Sequence, residues 1–236
     1  MVLTTIYLCY SQLEAIAIRQ LHMATAAVAS PVAVNLDDTR TLPHTFRANT
    51  GSLPQAKLGW LQPTSVDTPV DTIRYQLERD GYVFIKGLIP REDVLAMREH
   101  YFSQYAGTGL LKPDTPFVDG IYNPAENAAF HRGIGGGDPA GEDLDRLIAA
   151  HKTPLYQRFV SHPSLRKMVR DLMQWDEEVM LQRSMLRHNV PGGQATGVHY
   201  DKLFLRGGEG FFLTGWVPIG DITPCGGGLF YLREQC

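Results

Sequence analysis

The chain has 236 residues, 44% hydrophobic and 20% charged, with a net charge of -3 at pH 7. That balance admits one sizeable domain with a packed core, with room for a loose extension, and no Lys/Arg run offers a footprint for nucleic acid or an anionic membrane. Three cysteines, Cys9, Cys225 and Cys236, stand far apart without a Cys-x-x-Cys spacing. They argue against a disulfide scaffold and a structural zinc site, and fit a reducing, intracellular compartment, with the cytoplasm as the expected location.

The first ten residues are mildly apolar and no positive charge precedes Arg19, which makes a poor secretory signal and too short a span for a bilayer. Met23-Ala-Thr-Ala-Ala-Val-Ala-Ser30 is a second start-like stretch, and the residues before it are read as an extended gene model rather than as part of the protein. Residues 1–66 collect Ser, Thr, Pro and Gly, and are expected to be mostly irregular, with a short helix near 11–22.

Regular structure is predicted from Asp67-Thr68-Pro69, where a polar cap and a proline open a helix with Val70, Ile73 and Leu77 on one face and Gly81 as its stop. Tyr82–Ile85 reads as a strand, closed by Gly87 and Pro90. Arg91-Glu-Asp93 opens a second helix, with acidic residues at the positive end of its dipole and a stripe of Val94, Leu95, the Arg98 stem, Tyr101 and Phe102. Residues 106–141 are rich in Gly and Pro. Their Gly133-Ile-Gly-Gly-Gly137 run lacks both a leading strand and a following Gly-Lys-Ser/Thr, so a surface loop is favoured over a phosphate cradle. Helices follow around 143–150 and from Leu155, the latter restarting after Ser161-His-Pro163 with Leu165, Met168, Val169 and Leu172 at helical spacing.

From Glu178 the pattern becomes one of strands: Val179–Val190, a turn at Pro191-Gly-Gly193, then Gly197–Leu205, Gly210–Ile219 and Leu229–Leu232. Short strands joined by Gly/Pro turns indicate an antiparallel sheet or barrel. Within it stands Val198-His-Tyr-Asp201. His199 and Asp201 are two apart on an extended segment, so both project to one face. An imidazole beside a carboxylate supplies two of the three ligands with which non-haem iron sites leave positions open for oxygen chemistry. Burying Asp201 among apolar strands without a partner would be costly, and a metal compensates for that. The bland alternative is a solvated His/Asp pair, which chance produces often.

Five stretches in order carry a resemblance: Gln76–Pro90, Met185–Gly193, Val198–Asp201, Leu213–Asp221 and Gly226–Leu232. Together they resemble the phytanoyl-CoA dioxygenase family over residues 70 to 232. That resemblance implies an oxidoreductase that uses Fe(II), 2-oxoglutarate and O2 to hydroxylate a small or acyl substrate. It also implies a mainly β fold with flanking α over residues 67–236, a double-stranded β-helix of the jelly-roll or cupin-like kind with an N-terminal helical cap. Carried over by position, His199 and Asp201 become metal ligands, and Trp216 and Met185 become candidate contacts of the 2-oxoglutarate pocket, although both are more simply core residues. The family takes a third ligand from a later His and grips the ketoacid with an Arg beyond it. Here no His follows His199, and the arginines past Asp201 are Arg206 and Arg233, both too early to match. The expectation is therefore an incomplete β-helix, truncated relative to the family and inactive or severely impaired, with an open sheet edge offering a surface for self-association. His188, a turn away from the pair, is weighed as a substitute ligand. A non-catalytic product or interaction module and a cupin-like metal-binding protein stand as alternatives. The terminal Glu-Gln-Cys is no peroxisomal address, though the family leaves that compartment open.

Overall fold

A computed structural model describes residues 2–9, 45–48, 51–131, 142–181, 184–192, 196–197, 199, 201, 212–222 and 228–231. Its elements in chain order are β1 (Val2–Cys9), β2 (Thr45–Ala48), β3 (Gly51–Pro54), β4 (Pro63–Ser65), α1 (Val70–Asp80), β5 (Phe84–Lys86), α2 (Arg91–Ser103), α3 (Glu142–His151), α4 (Pro154–Val160), α5 (Pro163–Met173), β6 (Val179–Met180), β7 (Met185–His188) and β8 (Phe212–Pro218).

The helices begin and end where local chemistry directs. Gly81 at φ 73° closes α1 in the left-handed region that glycine enters without a Cβ penalty, and its N–H reaches the Leu77 carbonyl. Pro154 and Pro163 open α4 and α5, the first capped by the Thr153 hydroxyl, which accepts from the Tyr156 N–H. His162 caps α5 by accepting from the Ser164 N–H, while its Nε2–H donates to Asp93 Oδ2 at 3.2 Å and so ties α5 to the first turn of α2. Arg74 of α1 donates to the Leu172 and Asp171 carbonyls at 2.8 and 2.7 Å, satisfying two orphan acceptors at the end of α5. Below that end the buried Glu178 is gripped by Arg166 and Arg170. Burial raises its pKa, but the hydrogen bonds from the two arginines outweigh this and hold it below the usual carboxylate range.

The main sheet is centred on β1. One edge of β1 pairs antiparallel with β6 and β7, and the other pairs with β8, from Leu3 opposite Pro218 to Cys9 opposite Phe212. β7 and β8 therefore run parallel to each other, held together by the strand between them. This differs from the expectation for the N-terminal segment. Val2-Leu-Thr-Thr-Ile-Tyr-Leu-Cys9 is rich in β-branched and aromatic residues, and a sheet with a vacant antiparallel lane gives those residues a ladder to join. The first 66 residues also supply the β2–β3 hairpin and β4, which pairs in parallel with β5.

On one side of the main sheet α2, α3 and α4 bring Met97, Tyr101, Leu147, Tyr156, Phe159 and Val160 against Leu186, Val190 and Ile219, with Leu213 and Val217 packed on the same cluster. Arg98, placed on the apolar stripe of α2, is 8% exposed, and its guanidinium donates to the Ile219 carbonyl, which fastens α2 to the end of β8. The predicted long strand over 179–190 is resolved into β6 and β7, and Leu229–Tyr231 run without strand pairing, each at least 38% exposed rather than alternating in and out. Among the described residues the strands do not close into a barrel, and no helix is long and apolar enough to cross a membrane. The helix expected over 11–22, the glycine run at 133–137 and positions 198, 200 and 202–205 of the strand expected over 197–205 lie outside the described residues. The described positions of that segment form no strand: Gly197 and His199 stand in irregular backbone and Asp201 in a short helical turn.

Candidate metal centre

Period-two alternation sorts the strand residues between two faces. In β7, Leu186 and His188 are buried against the helices, so Met185 and Arg187 project to the other side. In β8, Leu213 and Val217 meet the helical core, which places Phe212, Thr214 and Trp216 on that same opposite side. Met185 and Trp216 are both in register with Thr5 of β1, one on each flank. They thus share one cross-strand row about 10 Å apart, two strand spacings.

His199 and Asp201 meet on the Thr214 side of β8. The imidazole Nε2 lies 3.3 Å from Asp201 Oδ1, and the two side chains are 30% and 24% exposed. His199 Nδ1–H donates to the Gly197 carbonyl at 2.6 Å, so a neutral ring carries its lone pair on Nε2, the nitrogen that faces the carboxylate. Asp201 Oδ2 in turn accepts from the Thr214 hydroxyl at 2.7 Å. Two ligands at about 2.1 Å on neighbouring octahedral positions stand about 3 Å apart, so this donor set fits two adjacent positions on a divalent cation. The carboxylate supplies the charge, the imidazole a borderline donor suited to iron, and partial exposure leaves access for small ligands. Among the described residues no third His, Cys, Asp or Glu joins them.

His188, weighed as a substitute ligand, does not turn toward this pair. It is 4% exposed on the helix-backed face, where its Nε2–H donates to the His131 carbonyl and its Nδ1 accepts from the Tyr101 hydroxyl, both at 2.9 Å. Tyr105 donates to the Tyr101 oxygen at 3.3 Å and completes the chain. Burial pushes the His188 pKa down to about 4, so the ring is neutral and committed to structure. Alternation explains the outcome: His188 shares its face with Leu186, on the opposite side of β7 from Met185 and Arg187.

Two neighbours of the pair were not singled out from the sequence. Thr214 is the lone hydroxyl between large apolar residues in Phe212-Leu-Thr-Gly-Trp-Val217, a signal that can be read as a polar contact aimed at a site. Tyr231 stacks on Tyr82 with ring centroids 6.0 Å apart, and Tyr82 accepts from the Gln62 N–H. Partial burial first, and then the negative charge of Asp201, push the Tyr231 phenol upward, which places it within electrostatic reach of the pair. No sequence signal marks that contact, because the two tyrosines are far apart in the chain.

No protein-family model, no curated protein and no solved structure matches the chain.

Proposed function

We propose that the chain is a non-haem iron protein of the Fe(II)- and 2-oxoglutarate-dependent dioxygenase type, with His199 and Asp201 as its metal ligands. The single observation that carries this reading is the convergence of His199 Nε2 and Asp201 Oδ1 at 3.3 Å, with the far nitrogen and the far oxygen each already engaged. Bound there, the metal would supply oxygen activation for hydroxylating a small or acyl substrate. The protein's own part is to orient the imidazole through the Gly197 carbonyl and to hold the carboxylate through Thr214. Met185 and Trp216 stand on the same face of the sheet as Thr214. Among the described residues no third His, Cys, Asp or Glu joins the pair. With two protein donors among the described residues, metal binding is expected to be weak and hydroxylation severely impaired.

Anaerobic titration of the purified chain with Fe(II), followed by 2-oxoglutarate, tests the reading. Saturable uptake is expected, lost in Asp201→Ala, with an absorption band that needs both components. Undiminished uptake by Asp201→Ala overturns it. A second reading is a cupin-like metal-binding protein that takes no ketoacid. It is distinguished by metal uptake without the added band.

A further inference from the structure

A carboxylate on a short side chain can turn about its last torsion and offer a metal either oxygen, or both. At Asp201 that freedom is taken up. Oδ2 accepts the Thr214 hydroxyl at 2.7 Å while Oδ1 faces His199 Nε2 at 3.3 Å. The donor is itself well fixed. Threonine is β-branched and stiff at χ1, and Thr214 sits in the middle of β8, in register with Tyr7 of β1 within the longest ladder of the sheet. A bond formed from Thr214 therefore ties the orientation of the carboxylate to a seven-residue strand rather than to a surface turn.

We propose that Thr214 is a positioning residue for a divalent cation at the His199–Asp201 pair. Its hydroxyl engages Oδ2, leaving Oδ1 to bind the metal through one oxygen beside the imidazole. The inference rests on the metal reading above and adds to it a residue that touches neither substrate nor metal. Carboxylates that ligate metals need such outer partners, and losing one typically weakens binding 10–100-fold.

The test is titration of the full metal-free chain with Co(II), read by visible absorption, for the parent, Thr214→Val and Thr214→Ser. Valine keeps the shape and removes the hydroxyl, and serine keeps the hydroxyl and removes a methyl. Thr214→Val is expected to bind about 10–100-fold more weakly, with Thr214→Ser close to the parent and the melting temperature of the serine variant no higher than that of the valine variant. That pattern separates positioning from packing, because a packing role would penalise serine more than valine. If valine binds as tightly as the parent, or serine as weakly as valine, the positioning role falls while the metal reading stands. Failure of the parent to take up Co(II) removes the metal reading and this inference with it.

Discussion

The two faces of the main sheet are made from alternate residues of the same strands, and they serve opposite ends. On the helix-backed face Leu186 is fully buried, His188 is 4% exposed and every ring nitrogen of His188 and His151 is spent on a structural bond. His151 donates from Nδ1 to the Leu147 carbonyl and accepts the Leu186 N–H at Nε2, which pins β7 to α3. On the other face Met185, Arg187, Thr214 and Trp216 are half-buried, and the titratable groups meet one another at the solvent margin. The buried apolar contacts are concentrated on the first face, so the second can carry polar groups that stay open to solvent.

Mutations on the two faces should separate most clearly in chemical denaturation. Leu186→Ala is expected to cost about 2–5 kcal/mol, whereas Met185→Ala, one residue away, should cost under about 1 kcal/mol. Similar losses at both positions would show that the faces are equally packed.

Acid should act through the helix-backed face. The unfolded His188 ring titrates near the ordinary 6.5 and the folded one near 4, so between those values the unfolded chain binds a proton that the folded chain refuses. The neutral ring's contribution is complete above about pH 6.5 and is lost as pH falls through 4, up to about 3 kcal/mol. Urea midpoints measured across that range should fall, and a His188→Gln variant should show a flatter dependence. An unchanged slope in that variant would assign the acid sensitivity elsewhere.

A smaller effect is expected from Tyr101→Phe, which strips the donor from His188 Nδ1 and leaves a buried acceptor without it. About 1–3 kcal/mol should be lost with no change in metal uptake at the opposite face. Weakened Co(II) binding in this variant would mean that the two faces are coupled through β7.

Much of the helical half was legible because its signals are local. Pro69, Pro154 and Pro163 mark the starts of α1, α4 and α5, Gly81 marks the end of α1, and the Leu165, Val169 and Leu172 spacing names the buried stripe of α5. Pairing in the sheet is not local. The run Val2–Cys9 carries strand-forming residues, but nothing in it says that its partners are residues 179 to 218. The side of the sheet to which His188 points was likewise hidden, since register decides it and a slip of one residue reverses every side chain.

What the sequence determined by itself was the pair: a His and an Asp two residues apart, close enough along the chain to meet whatever the local backbone. What only the tertiary structure decided was the company they keep. It set Thr214 against Asp201, Tyr231 within reach of its charge, Met185 and Trp216 in one row, and His188 behind the sheet. Spacing along a chain specifies which neighbours share a face. Which distant strands lie beside them depends on how the apolar surfaces of α2, α3 and α4 are buried, and that is settled only when the whole core assembles.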